Sequence, residues 1–394
     1  MDSQPLLTTE EVASRLGVKP ATVYAYVSRG LLTSRRNGDG KNSLFAKADV
    51  DTFVASRKRT TTPAIQTGIT LIRDGELFYR GQDAVALART STFEAVINLL
   101  WTGDLQDIPL PATFSLINLA AAVTAPLPDI ARLTDRMRVI VAAAAAADPL
   151  RFDTAPTAVV AAGRQLIATM ARALPSRRMP GVMEVSTPLA EILWSRLTRT
   201  APSEASLHGL NAALILLADH DIAASTLAAR VAASTRAHPY AVVGAGLAAL
   251  DGPLHGVASA LAYPLLAGAV GRPDPIVVFA DHLRAGGPVP GFGHPLHPSG
   301  DPRAAALIDL IADGPVRRAT EDLARAVHAR SGARPNVDLA LAAFALHHEM
   351  SPDAGEAVFA LARTAGWIAH ALEEYADRPS RFRPSSTYAG RSPA

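Results

Sequence analysis

Four polar sites interrupt an otherwise apolar chain: Ala218-Asp219-His220-Asp221, Gly252-Pro253-Leu254-His255-Gly256, Gly291-Phe292-Gly293-His294 and Pro335-Asn336-Val337-Asp338. A lone histidine in such a run is ordinarily a core residue that has found a hydrogen-bond partner. Three histidines followed by an aspartate and several arginines read instead as one site. There a carboxylate can act as base, imidazoles can give or take protons, and guanidinium forks can hold carboxylates. Glycines accompany His255 and His294, and a residue without Cβ lets backbone and ligand come close to the imidazole.

The elements that must hold these residues are helices. Of 394 residues, 49% are hydrophobic, but only 5% are aromatic and 19% charged, and alanine dominates. Ala and Leu favour helix, whereas strands draw on β-branched and aromatic residues. The chain therefore reads as mostly helical, with length for a large core and more than one domain. Cysteine is absent, which excludes disulfides, thiolate catalysis and cysteine metal sites. Met1 to Pro5 shows no basic segment ahead of an apolar one, so no secretory signal is visible. The apolar run from Val139 to Ala147 is bounded by Arg138 and Asp148. It falls well short of the roughly 20 residues of a membrane span and reads as a buried helix of a soluble, cytoplasmic protein.

Charge marks a boundary. Residues 1–59 carry ten Lys/Arg and six Asp/Glu, net +4, while the rest carries 28 and 30, net −2. All four lysines (Lys19, Lys41, Lys47, Lys58) lie in the first segment, and Thr60-Thr61-Thr62-Pro63 follows it as a linker. Thr8-Thr9-Glu10-Glu11 fits a capping box, and Val12, Ala13 and Leu16 give that helix one apolar face. Gly17 to Pro20 makes a turn, Val23, Tyr24 and Val27 line a second helix, and Gly30 can end it. A hairpin-type turn over Arg35 to Lys41, Leu44-Phe45 and an apolar helix from Asp49 to Val54 complete the segment.

Through Leu7-Thr8-Thr9-Glu10-Glu11-Val12-Ala13, Leu16-Gly17-Val18 and Thr22-Val23-Tyr24, residues 1–59 resemble the winged helix-turn-helix of the MerR/excisionase type. That resemblance places Lys19, Thr22, Tyr24, Tyr26 and Arg29 near bases or phosphates, and Arg35, Arg36 and Lys41 of the wing near phosphates. The other reading is a small protein-docking module with solvated basic residues. A net +4 is modest, so DNA binding by one copy would be weak and salt-sensitive, and a dimer would be needed.

The larger part resembles citrate synthase. It opens with Gly68-Ile69-Thr70-Leu71-Ile72, Gly75-Glu76-Leu77-Phe78-Tyr79-Arg80-Gly81 and Leu99-Leu100-Trp101-Thr102-Gly103. Asp219-His220, Ser225-Thr226, the segments around His255 and His294, Asp301-Pro302-Arg303-Ala304, Pro335-Asn336-Val337-Asp338, the run Arg363 to His370 and Arg383-Pro384-Ser385 continue it. The resemblance implies an all-α fold: a large helical domain (67–255 and 351–394), a smaller one (256–350) and a cleft between them, preceded by the winged helix-turn-helix and a linker (60–66). It also implies acetyl-CoA or propionyl-CoA condensing with oxaloacetate, with no further cofactor and no metal.

In that family's terms Asp338 is the base, His255 bonds the thioester oxygen, and His294 polarises the ketone and protonates the alkoxide. His220 holds oxaloacetate, and Arg303, Arg363 and Arg383 grip its carboxylates as forks that lysine cannot copy. Arg383 comes from the neighbouring subunit, which implies a homodimer. His282, His297, His347, His348 and His370 match no role and read as ordinary. Two simpler readings stay beside these: Asp338 as a helix cap, and Arg363 paired with Glu373 or Glu374. The chain departs from the family's pattern at Leu217, at Asp221-Ile222-Ala223, at Val257 and at Pro295, which removes a phosphate-facing arginine and stiffens its loop. Those departures keep open a second function, a transcription regulator whose synthase-like body senses oxaloacetate, citrate or acyl-CoA.

Overall fold

A capping box starts the first helix. Thr8 Oγ1 accepts from the Glu11 amide at 3.3 Å, and the Glu11 carboxylate accepts from the Thr8 amide at 2.8 Å, as Thr-x-x-Glu spacing predicts. The computed structural model describes residues 6–16, 18–28, 32–36, 43–58, 65–178, 186–272, 274, 276–284 and 289–383. It divides into two units, Met1–Ile65 and Gln66–Ala394.

The first unit runs β1 (Leu6–Thr8), α1 (Thr9–Leu16), α2 (Pro20–Ser28), β2 (Arg35–Arg36), β3 (Ser43–Ala46) and α3 (Lys47–Lys58). Pro20 opens α2, where a missing amide proton costs nothing. The strands form an antiparallel sheet in the order β1-β3-β2, with Leu7 opposite Phe45 and Arg35 opposite Leu44. Val12, Ala13, Val23, Leu32, Phe45 and Val50 make its small core. The last helix is longer than Asp49 to Val54, because it starts directly at the end of β3 and continues through the basic residues to Lys58.

The second unit begins with a small antiparallel sheet, β4 (Thr70–Arg73), β5 (Glu76–Tyr79) and β6 (Gln82–Asp83). Arg73 pairs with Glu76, so Asp74-Gly75 is a two-residue turn with φ of +56° and +85°, the combination that Asp-Gly supports. Helices follow: α4 (Ala84–Thr90), α5 (Phe93–Thr102), α6 (Phe114–Thr124), α7 (Leu133–Ala147), α8 (Pro156–Ala173), α9 (Leu189–Leu197), α10 (Glu204–Leu217), α11 (Ala224–Ser234) and α12 (Pro239–Leu250). Then come α13 (Ala258–Ala269), α14 (Ile276–Arg284), α15 (Pro302–Asp309), α16 (Pro315–Ser331), α17 (Val337–His347) and α18 (Ala354–Ala376). Side chains of Asp83, Thr92, Thr113, Ser203, Asp301 and Asn336 cap their helices. Prolines occupy the first turn of α8, α12, α15 and α16.

Helix α18 is the axis of this unit, with α5, α7, α8, α10, α11, α12, α13 and α17 packed on it, and one hydrophobic core runs throughout. Helices α13 to α17 pack largely on one another. Small residues set how closely the helices approach: a Cβ on Gly246 would lie 2.5 Å from the buried Trp367 ring. The apolar run Val139–Ala147 belongs to α7, which is amphipathic rather than wholly buried. Ile140, Val141 and Ala144 face the core while Ala142, Ala146 and Ala147 are exposed, since alanine tolerates either side. Among the described residues no helix is long and apolar enough to cross a membrane.

Gly366 is where α18 meets the segment that carries Asp219 and His220. Its amide donates to Ala218 O at 3.0 Å, and an added Cβ would lie 2.4 Å from Asp219 Oδ1 and 2.5 Å from Ala218 O. Gly366→Ala should destabilise the unit by about 1–3 kcal/mol, read as a lowered midpoint in denaturant unfolding. An unchanged midpoint would contradict this packing.

Candidate active site

Asp338 is the second residue of α17, and Asn336 caps that helix: its Oδ1 accepts from the Asp338 amide at 3.0 Å. Asp338 is therefore not the cap, and its carboxyl faces a cavity of about 900 Å³. Asp338 Oδ1 is sealed from solvent and has no hydrogen-bond partner among the described residues. Burial pushes the carboxyl up to about 7, outweighing the nearby Arg303 guanidinium, and the Asp301 charge adds to the rise.

His255, His294, His220, Arg303 and Arg363 line the same cavity. The loop carrying His294 is tied to the start of α17: the Asn336 amide donates to Gly291 O at 3.0 Å, the Gly293 amide to Arg334 O at 2.8 Å, and Asn336 Nδ2 to Gly293 O at 3.0 Å. Gly291 is required twice, by its φ of +86° and by a Cβ position only 2.8 Å from Leu339 Cβ. Gly256 likewise makes room for Leu250, 2.5 Å from its Cβ position. At these two positions packing inside the protein already requires glycine, and Gly291 also lines the cavity.

Each imidazole has a defined partner. His294 Nδ1 accepts from the Leu296 amide at 3.2 Å, which leaves Nε2–H as the donor. His255 Nε2 lies 2.7 Å from the buried Ser225 hydroxyl. When that hydroxyl donates, the His255 proton sits on Nδ1. Burial lowers both rings to about 4, helped at His255 by Arg363 and at His294 chiefly by Arg303. Burial, with Arg303 and Arg363 next, holds His220 well below the ordinary imidazole range. All three are neutral at pH 7.

The two cavity arginines differ. Arg303 grips Asp301 through Nε at 2.9 Å and Nη2 at 2.8 Å, so one edge of its fork is taken and Nη1 is left for a ligand. Arg363 is 1% exposed and gives Nε to Leu217 O at 2.8 Å. Its Nη1 and Nη2 have no partner among the described residues, and burial lowers it to about 10. Glu373 and Glu374 do not pair with it. They hold the buried Arg230, at 2.7 and 2.5 Å, and Glu374 also binds Arg381. Ala223 and Pro295 also line the cavity, so two departures from the family pattern sit in the site itself. Arg383 is exposed and does not line the cavity within one chain.

Two histidines that read as ordinary are built into this region. His370 Nδ1 lies 2.5 Å from Arg230 Nη1, so it accepts, and its Nε2–H donates to Asp219 Oδ2 at 3.2 Å. Thr70 Oγ1 donates to the same carboxylate at 2.6 Å. Burial pushes Asp219 up, but His370, Arg363 and Thr70 outweigh it and hold it below the usual carboxylate range. His297 Nε2 lies 2.9 Å from His220 Nε2, and its Nδ1 lies 3.0 Å from Gly75 O. Their partners lie 77 to 222 residues away in the chain, so no local pattern announces them.

In the first unit Lys19, Tyr24 and Arg35 are exposed and Thr22 is half-buried. Tyr26 stacks edge-on against Phe53, with centroids 5.3 Å apart, and so helps its own core. Arg36 lies on β2, while Arg29, Lys41 and Pro384-Ser385 lie outside the described residues.

Residues 59–385 match the family model for the citrate synthase C-terminal domain, and residues 6–58 match that for a helix-turn-helix domain. The 2-methylcitrate synthase 2 of Corynebacterium glutamicum is 31% identical over 342 residues, covering 80% of this chain and 88% of that protein. The citrate synthase of Haloferax volcanii is 31% identical over 344 residues, 80% and 90% of the two chains. The crystal structure of citrate synthase from Thermotoga maritima covers 86% of this chain and 97% of its own, with a TM-score of 0.69 and 25% identity. Citrate synthase from Thermoplasma acidophilum, solved in a ternary complex with carboxymethyl coenzyme A and oxaloacetate, gives the same TM-score of 0.69 and the same coverage at 24% identity. The chain belongs to the citrate synthase family.

Proposed function

We propose that this protein condenses an acyl-CoA, acetyl-CoA or propionyl-CoA, with oxaloacetate, giving citrate or 2-methylcitrate and free CoA. The observation that carries the reading is convergence: one cavity is lined by Asp338, His255, His294, Arg303 and Arg363, with Asp338 Oδ1 and the Arg363 Nη groups left without hydrogen-bond partners among the described residues. Ionised Asp338 takes a proton from the acyl carbon beside the thioester. His255 stabilises the enol oxygen that forms there. That carbon attacks the ketone, His294 Nε2–H protonates the new alkoxide, and water then cleaves the thioester. Arg363 holds one carboxylate with its free Nη pair, Arg303 binds through Nη1, and His220 contributes to holding oxaloacetate. Arg383 reaches the site from the neighbouring subunit of a homodimer, and the 256–350 segment closes over the ligand.

A carboxyl near 7 is half-ionised at neutral pH, which suits a base that must also release its proton. Thiol release from acetyl-CoA or propionyl-CoA should require oxaloacetate, rise as pH passes through about 7, and fall at least about a hundredfold in Asp338→Asn. Tight oxaloacetate binding without thiol release from either acyl-CoA would overturn the enzyme reading and favour the sensor. The same variant has a stability signature. A raised carboxyl pKa favours the folded state below about 4 and opposes it increasingly as pH rises to about 7. Asp338→Asn should therefore stabilise the protein above pH 7, by roughly 2–4 kcal/mol, with no gain at pH 4. An equal effect at both pH values would contradict a buried, raised carboxyl.

The helix-turn-helix match over residues 6–58 favours a second, DNA-binding activity through Lys19, Thr22, Tyr24, Tyr26, Arg29, Arg35, Arg36 and Lys41. In a mobility-shift assay with DNA from upstream of its own coding region, Arg35→Ala/Arg36→Ala should weaken binding and flatten its salt dependence by about one to two counterions. Binding indifferent to both the substitutions and salt would contradict the wing-to-phosphate contact.

A further inference from the structure

Three imidazoles meet at one end of the cavity. The ring centroids of His220, His294 and His297 lie 4.9, 5.1 and 5.1 Å apart, but only His220 and His294 line the space. His297 stands behind them, 3% exposed, between His220 Nε2 and the Gly75 carbonyl of the β4–β5 turn.

We propose that His297 is a positioning residue: it holds His220 in its Nε2–H form, so that the cavity receives a hydrogen-bond acceptor, His220 Nδ1, beside the donor, His294 Nε2–H. The consequence for ligands rests on reading the cavity as the oxaloacetate site: the pair favours a hydroxyl over a ketone at the carbon that it grips.

A carbonyl oxygen only accepts, so the 3.0 Å contact to Gly75 O requires a proton on His297 Nδ1. The 2.9 Å contact between the two Nε2 atoms holds one proton. A neutral His297 already carries its proton on Nδ1, so its Nε2 accepts and His220 donates. His220 is kept neutral by burial and by the groups that face it: Arg303 from α15, Arg363 from α18, and His294 and His297 from the loop that precedes α15. Its Nδ1 has no partner among the described residues and stays bare. A ketone oxygen can take the His294 proton but has nothing to give His220. A hydroxyl can do both, and the proposed reaction turns the first into the second. The pair thus fits the hydroxyl of the adduct better than the ketone of the substrate. The type of the Asp74-Gly75 turn, by aiming one carbonyl at His297, enters the site's proton arrangement.

Two measurements test the parts separately. Nitrogen-15 spectra of ring-labelled histidines in the ligand-free protein should show His220 protonated at Nε2 in the native protein and in His297→Gln, whose amide can both donate and accept. In His297→Phe the proton should move wholly or partly to Nδ1. A native His220 protonated at Nδ1 overturns the proposal without reference to any ligand. Calorimetric titration then compares malate, a 2-hydroxy dicarboxylate, with oxaloacetate. His297→Phe should weaken malate by about tenfold and oxaloacetate by less than about threefold, with His297→Gln close to native for both. Equal losses for both ligands, or none for malate, overturn the preference. Failure of the native protein to bind either ligand overturns the oxaloacetate-site reading and the preference with it, while the spectra still decide the role of His297.

Discussion

One buried carboxylate holds the site together. Asp301 accepts from the Arg303 amide at 3.0 Å, from Arg303 Nε and Nη2, and from the Val337 amide at 3.0 Å. It therefore caps α15, orients a cavity arginine, and pins the first residue of the helix whose second residue is Asp338. Burial opposes its charge, but Arg303 and the donors around it outweigh that and keep the carboxyl below its usual range. A buried ion pair adds little net stability over an apolar replacement, yet losing one partner costs about 3–5 kcal/mol. Its value here is geometric: the Arg303 guanidinium and the Asp338 carboxyl share one support.

The same exclusion of water acts on every group around the cavity, with a sign set by charge type. It raises the Asp338 carboxyl and lowers the imidazoles of His255 and His294 and the Arg363 guanidinium. Arg230 and Arg363 show how structure and function separate under that constraint. Both are almost fully buried. Arg230 is held by Glu373, Glu374 and His370 through Nε and Nη1, whereas Arg363 keeps two Nη groups without partners among the described residues. Folded proteins rarely leave such donors unpaired, so the Arg363 pair marks where an anion belongs. Phe359 packs between this guanidinium, 4.7 Å from its ring centroid, and the His255 ring at 5.6 Å, which keeps the two functions adjacent without a polar link.

Much of this was legible in the residues. His255, His294, Asp338 and Arg363 are polar groups that interrupt apolar sequence, and the capping box at Thr8 and the Asp74-Gly75 turn are local rules obeyed locally. The family and its all-α architecture followed from motifs whose order runs along the chain. What stayed hidden depends on contacts distant in sequence. His297 and His370 look like stray histidines until Gly75, His220, Arg230 and Asp219 are brought beside them. Gly256 and Gly291 read as room for a ligand, and the packing demand that Leu250 and Leu339 also place on them was invisible in the sequence. Arg303 looked like a free fork, and its own neighbour two residues earlier takes one edge. The run Val139–Ala147 read as buried because alanine does not reveal which face is inside.

The state of the Asp338 carboxyl is the property on which the proposed chemistry depends. Carbon-13 titration of labelled aspartate side chains, with Asp338→Asn to assign the signal, measures it in the folded protein without any substrate. The structure predicts a carboxyl that titrates with a midpoint of about 7. A midpoint near 4, the ordinary aspartate value, would mean that the group is solvated or paired, and would contradict a carboxyl raised by burial.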